Sequence, residues 1–132
     1  MTANYPATLE GLARATGELD GTLTSAGCPE KAKTKLMIAF DEIASNIVRY
    51  SGASDFDIEV DFPENPDAVK ISFADSGRPF NPLQSADPDV TLGAADRDVG
   101  GLGLFMVKKM MDNVVYTHVG GRNILVISKL RG

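Results

Sequence analysis

Apolar and polar positions change period several times along the chain, and each change marks an element. Leu9, Leu12, Thr16, Leu19 and Leu23 recur at helical spacing, with Glu10, Arg14, Glu18 and Asp20 off that stripe. The spacing predicts a first helix from Thr8 to Ser25. Ala26-Gly27-Cys28-Pro29 breaks it, since Gly suits a helix C-terminus and Pro29 can open the next helix. Leu36, Phe40, Ile43 and Ile47 then recur at i, i+4, i+7 and i+11, with Met37, Ala44 and Val48 widening the arc. This predicts a second helix from Pro29 to Tyr50, ended by Ser51-Gly52-Ala53.

The period then falls to two. Phe56, Ile58, Val60 and Phe62 alternate with Asp57, Glu59 and Asp61, which predicts a strand with one buried and one wet face. Pro63 to Asp67 reads as a turn, and Val69, Ile71 and Phe73 resume the alternation, giving a hairpin. Beyond Asp75-Ser76-Gly77 the pattern dissolves. Arg78 to Val99 carries Pro79, Pro82 and Pro88 among Asp87, Asp89, Asp96 and Asp98, and long stretches of this kind are commonly lids or binding loops. Gly100 to Leu104 opens a third helix running to Asp112, with Leu102, Phe105, Met106 and Met110 as its apolar face. Val114 to Val119 and Ile124 to Leu130 form a closing hairpin around Gly120-Gly121-Arg122-Asn123.

Hairpins alternating with helices predict an α+β fold. It is a two-layer α/β sandwich with a mixed, mostly antiparallel sheet of about four to five strands and three helices on one face. No repeat or linker interrupts residues 1–132, so the chain reads as one domain.

Composition narrows the function classes. The net charge is −5, which argues against direct nucleic-acid binding, and a polyanionic ligand would need a local remedy such as a metal ion or a helix N-terminus. No apolar run approaches membrane-spanning length and no signal-peptide pattern opens the sequence. The single cysteine, Cys28, cannot form an internal disulfide, which fits the cytoplasm. His118 is the one histidine and falls in a strand, so a multi-histidine metal site is excluded.

Three segments carry candidate chemistry. Glu42 and Asn46 stack one turn apart on the flank of the second helix, where Asn46 can offer an oxygen to a divalent cation and Glu42 can take a proton. Asp75-Ser76-Gly77 closes a strand. Gly100-Gly101-Leu102-Gly103 opens a helix whose unpaired N–H groups suit phosphate, although it matches neither a Walker A loop nor a dinucleotide fingerprint. Each signal is weak alone.

Taken in order, Glu42-x-x-x-Asn46, Asp75-x-Gly77, a lid and Gly101-x-Gly103 resemble the GHKL (Bergerat) ATPase superfamily. Asp75-Ser76-Gly77-Arg78-Pro79-Phe80-Asn81-Pro82 and Gly100 to Asp112 resemble its small anti-sigma factor/serine-protein kinase (RsbW-like) group. The resemblance implies that Asn46 coordinates Mg²⁺ bridging the ATP phosphates and that Glu42 is the general base. It implies that Asp75 accepts from the adenine amino group, that Gly77 lets the base approach the backbone, and that Gly101, Leu102, Gly103 and Leu104 form the segment that meets the phosphates. It further implies a bacterial serine/threonine kinase that binds ATP or ADP, a sigma factor and an anti-anti-sigma (STAS-type) protein, working as a homodimer.

Two rival readings stand beside it: a nucleotide-sensing interaction module without transferase activity, and the catalytic domain of a histidine kinase. The chain departs from the superfamily at Pro79, where a second Gly is commoner, and at Tyr50-Ser51, where many relatives carry His. Arg97 in the lid is a candidate phosphate contact, and Arg14 on the first helix a candidate for docking an acidic partner surface.

Overall fold

The computed structural model describes residues 1–79 and 99–132, the side chains of 99–104 excepted. The rest of the expected lid, Arg97 included, lies outside the described residues. The elements follow in the order β1 (Thr2–Pro6), α1 (Leu9–Ser25), α2 (Glu30–Tyr50), β2 (Asp55–Asp61), β3 (Ala68–Asp75), α3 (Val99–Met110), β4 (Asn113–Val119) and β5 (Arg122–Leu130). The five strands make one sheet in the order β1-β2-β3-β5-β4. Every pairing is antiparallel, so the mixed sheet expected from sequence is antiparallel throughout the described residues.

The helices cover one face. Phe56, Ile58 and Val60 of β2 and Val69, Ile71 and Phe73 of β3 point into the core, where they meet Leu36, Phe40, Ile43 and Ile47 of α2. The Phe40 and Phe73 rings lie 5.6 Å apart and tie α2 to the middle of the sheet. Truncating either to Ala would cost about 3–5 kcal/mol, the usual range for a buried Phe. Asp55, Glu59 and Asp61 stay exposed on the other face, as the alternation predicts.

Three sequence readings are corrected. β1 was not predicted: it pairs with β2 from Thr2↔Glu59 to Pro6↔Asp55 and contributes the fully buried Tyr5. Leu9 was placed on the buried stripe of α1 but is 74% exposed. The buried line is instead Gly11, Ala15, Leu19 and Leu23. The reason is the missed strand. A Cβ on Gly11 would stand 1.9 Å from the Pro6 carbonyl oxygen, so small residues face β1 and Leu9 turns outward. On α3, Met106 is exposed, while Val107 and then Met111 just beyond the helix are buried. α3 packs on α2 along one stripe, which leaves Met106 outside it.

Candidate functional site

α2 places Glu42 and Asn46 half-buried at the edge of its apolar arc. The Asn46 side-chain Nδ2 donates to Glu42 Oε1 at 3.2 Å. This turns Asn46 Oδ1, the end with lone pairs, away from the carboxylate. Among the described residues no group of three His, Cys, Asp or Glu side chains is placed to hold a metal. A cation here would rest on Asn46 Oδ1 and on oxygens of its ligand, a donor set that suits hard Mg²⁺.

Asp75 ends β3 on the core-facing side and is only 5% exposed. Its Oδ1 accepts from the Gly77 N–H at 2.8 Å and from Asn123 Nδ2 at 3.2 Å. Among the described residues no donor reaches Oδ2, so a buried carboxylate keeps one acceptor oxygen for a ligand. Such an atom fits the 6-amino group of adenine.

The turn after Asp75 is fastened to the end of α2. A Cβ on Gly77 would meet the Ser51 carbonyl oxygen at 2.3 Å, a distance no side chain permits. The Arg78 N–H donates to Ser51 O at 2.9 Å, and its Nη2 donates to Tyr50 O at 2.6 Å. A guanidinium on the last carbonyls of a helix satisfies orphan acceptors and suits the negative end of the dipole. Tyr50-Ser51, where the sequence departs from the superfamily, is thus the seat of this turn.

Asn46 and Ser51 are five residues apart on α2, roughly 7.5 Å along its axis. The helix therefore brings Glu42 and Asn46 to the same end of the molecule as Asp75 and Gly77. Gly101, Leu102, Gly103 and Leu104 fall in the first two turns of α3, which packs on α2. Their backbone is helical as expected. Arg14 is occupied differently: it lies 3.6 Å from Glu18 and its guanidinium sits 5.3 Å from the Tyr5 ring centroid. A surface hollow lined by Met1, Glu18, Gly21, Thr22, Ser25 and Ala26 shares no residue with this site.

Asn123 and Tyr116 were missed by sequence reasoning. Asn123 stands directly across from Asp75 in the β3–β5 register and donates to it, to Arg78 O at 2.9 Å and to Gly77 O at 3.4 Å. Its Oδ1 accepts from the Tyr116 hydroxyl. Counting back by twos from Ile127 and Leu125 would have put Asn123 on the core face.

Fold and site together define a nucleotide-binding α+β domain, and the chain belongs to the histidine kinase-like ATPase domain family, whose model matches residues 5–129. Membership implies ATP as the nucleotide. The chain is 29% identical over 132 residues to the serine-protein kinase RsbW of Listeria monocytogenes, covering 96% of this chain and 84% of that one. A Listeria innocua protein of the same name is 26% identical over 133 residues, with the same coverage.

Among solved structures, the RsbU and RsbW domains of a Mycobacterium tuberculosis protein match at 14% identity with a TM-score of 0.63, covering 98% of this chain and 32% of that one. The SiaB–SiaC complex of Pseudomonas aeruginosa matches at 12% identity and a TM-score of 0.63, covering 98% and 88%. At those identities the two structures speak to the fold.

Proposed function

We propose that this protein is an Mg·ATP-dependent serine/threonine kinase that acts as an anti-sigma regulatory factor and phosphorylates a serine on an anti-anti-sigma partner. The observation that carries the reading is the joining of two half-sites. A buried Asp75 with one open acceptor oxygen is clamped, through Gly77 and Ser51, to the helix bearing Glu42 and Asn46. The curated relatives support the chemistry, because both are named serine-protein kinases.

Each residue has a task matched to its own groups. Asp75 Oδ2 accepts from the adenine amino group, and Gly77 lets the base lie against backbone. Asn46 Oδ1 would hold Mg²⁺, which when bound would neutralise phosphate charge. Gly101, in the first turn of α3, offers a helix N-terminal N–H to the phosphates, and Leu102, Gly103 and Leu104 carry the helix on from that end. Glu42 takes the proton that the acceptor serine hydroxyl gives up as its oxygen bonds to the γ-phosphorus, while the bond from that phosphorus to the β,γ-bridging oxygen breaks and ADP leaves with the bonding electrons. Phosphoryl transfer asks mostly for positioning and charge neutralisation, which this set supplies. A homodimer able to hold a sigma factor completes the reading.

The test is incubation of the protein with Mg·ATP and a STAS-type acceptor, followed by mass spectrometry of the acceptor. Phosphoserine on the acceptor is the expected result. An acid-labile phosphohistidine would move the protein to the histidine kinases. Tight ATP binding with no transfer to any acceptor would make it a nucleotide-sensing module.

A further inference from the structure

We propose that Tyr116 and Asn123 are positioning residues that hold Asp75 as an acceptor and thereby set the preference for a 6-amino purine. This rests on the nucleotide reading above and adds to it the residues that determine base selectivity.

The argument starts from the Asn123 amide, which is 7% exposed. Its Nδ2 faces three oxygens: Asp75 Oδ1, Gly77 O and Arg78 O. An asparagine amide can present either end, since oxygen and nitrogen occupy nearly the same space. Turned over, it would set its own carbonyl oxygen against those three acceptors, an arrangement with no donor and a full desolvation cost. Those three acceptors set the direction of the amide, and the Tyr116 hydroxyl, by donating to the Asn123 Oδ1 that is left, holds the side chain in that place.

Register makes the contact possible. Tyr116 pairs with Leu125 and His118 with Asn123, so Tyr116 lies diagonal to Asn123 across the β4–β5 ladder, within reach of a long side chain.

The effect passes on to Asp75. Its Oδ1 is filled by the Gly77 N–H and by Asn123, which leaves Oδ2 facing a ligand. An acceptor in that place matches an exocyclic amino group. It mismatches the 6-oxo group of guanine and gains nothing from a purine with hydrogen at that carbon. The same amide holds the Arg78 carbonyl, so the oxygen's direction and the turn beside it are fixed by one side chain.

Tyr116→Phe tests this, because it keeps the ring and removes the hydroxyl alone. Calorimetry with magnesium should compare ATP with the triphosphate of purine riboside, which lacks the 6-amino group. The variant should bind ATP about five- to tenfold more weakly, the size of one lost hydrogen bond, and the analogue nearly as well as wild type does. Asn123→Ala should move the ratio further in the same direction, and melting of both nucleotide-free variants is recorded alongside.

Equal weakening toward both nucleotides would mean a merely structural role and overturn the inference, as would unchanged ATP affinity in Tyr116→Phe. If Asn123→Ala does not fold, Tyr116→Phe decides. Absence of ATP binding by the wild type would instead bring down the nucleotide reading itself.

Discussion

Gly77 lies so close to Ser51 that a Cβ there would stand 2.3 Å from the Ser51 carbonyl oxygen and 2.8 Å from its carbonyl carbon. The obstacle is backbone at the end of a 21-residue helix, so it cannot swing aside as a side chain could. Gly77→Ala must push the turn off α2, with strain of about 1–3 kcal/mol. Urea denaturation should record that loss, and calorimetry a matching fall in ATP affinity. Wild-type stability in the variant would mean that the turn does not sit on Ser51.

Glu42→Gln separates binding from chemistry. The substitution keeps the shape and the contact with Asn46 Nδ2 while removing the base. ATP affinity should stay within a few fold, and phosphoryl transfer should drop on the order of 10²–10⁴-fold, the range for loss of general-base catalysis. An unchanged single-turnover rate would take the base role away from Glu42.

Tyr5 gives the protein an alkaline limit. Burial, and next the hydrogen bond to Glu18, push its hydroxyl up from 10.0 to about 12. The neutral phenol is the form the fold favours. Its contribution is complete below pH 10.0 and disappears as pH rises through about 12. Tyr5→Phe should therefore lose stability at neutral pH, through the missing 2.8 Å bond to Glu18, yet show a shallower decline in melting temperature over that alkaline window. A decline as steep as that of the wild type would assign the alkaline limb to other groups.

Arg14→Glu tests the docking role that the sequence offers for Arg14, and an ordinary surface residue would take the change with little effect on melting. The structure alters that expectation. Arg14 is 61% exposed but pairs with Glu18 and lies over the Tyr5 ring, so reversal sets two carboxylates side by side and removes the stacked cation. A loss of about 1 kcal/mol in folding stability follows from exposed pairs and cation–π contacts of this kind. Any weakening of partner association should be measured at a temperature where the variant is fully folded. Melting identical to wild type would return Arg14 to the role of a free docking residue.

Most of the fold was legible because period is set locally. β2, β3, β4 and β5 and all three helices follow from alternation or helical spacing within their own segments. β1 was not, because a five-residue edge strand with one fully buried residue, Tyr5, carries too little alternation to be seen. Leu9 was then misplaced for the same reason, since the surface that turns it outward belongs to that unseen strand.

The candidate site divides in the same way. Glu42 with Asn46, and Asp75 with Gly77, stand within short spacings and were found by motif order. Asn123 and Tyr116 gain their meaning from cross-strand register, 48 residues from Asp75 in the case of Asn123, and that is a tertiary fact. The seating of Gly77 on Ser51 is likewise invisible in sequence, where Gly after an Asp reads simply as a turn.

The stretch of α2 between Asn46 and Ser51 behaves as a gauge block. One end abuts the part of the site suited to a base, the other the part suited to phosphate, and a helix changes length only in whole residues. Each residue added or removed there would slide one end by about 1.5 Å and swing it by about 100°. On the proposed roles this spacing matches the length of the ligand: insertions in the β2–β3 turn would leave it intact, whereas a single insertion between Ile47 and Tyr50 would put base and phosphate out of step at once.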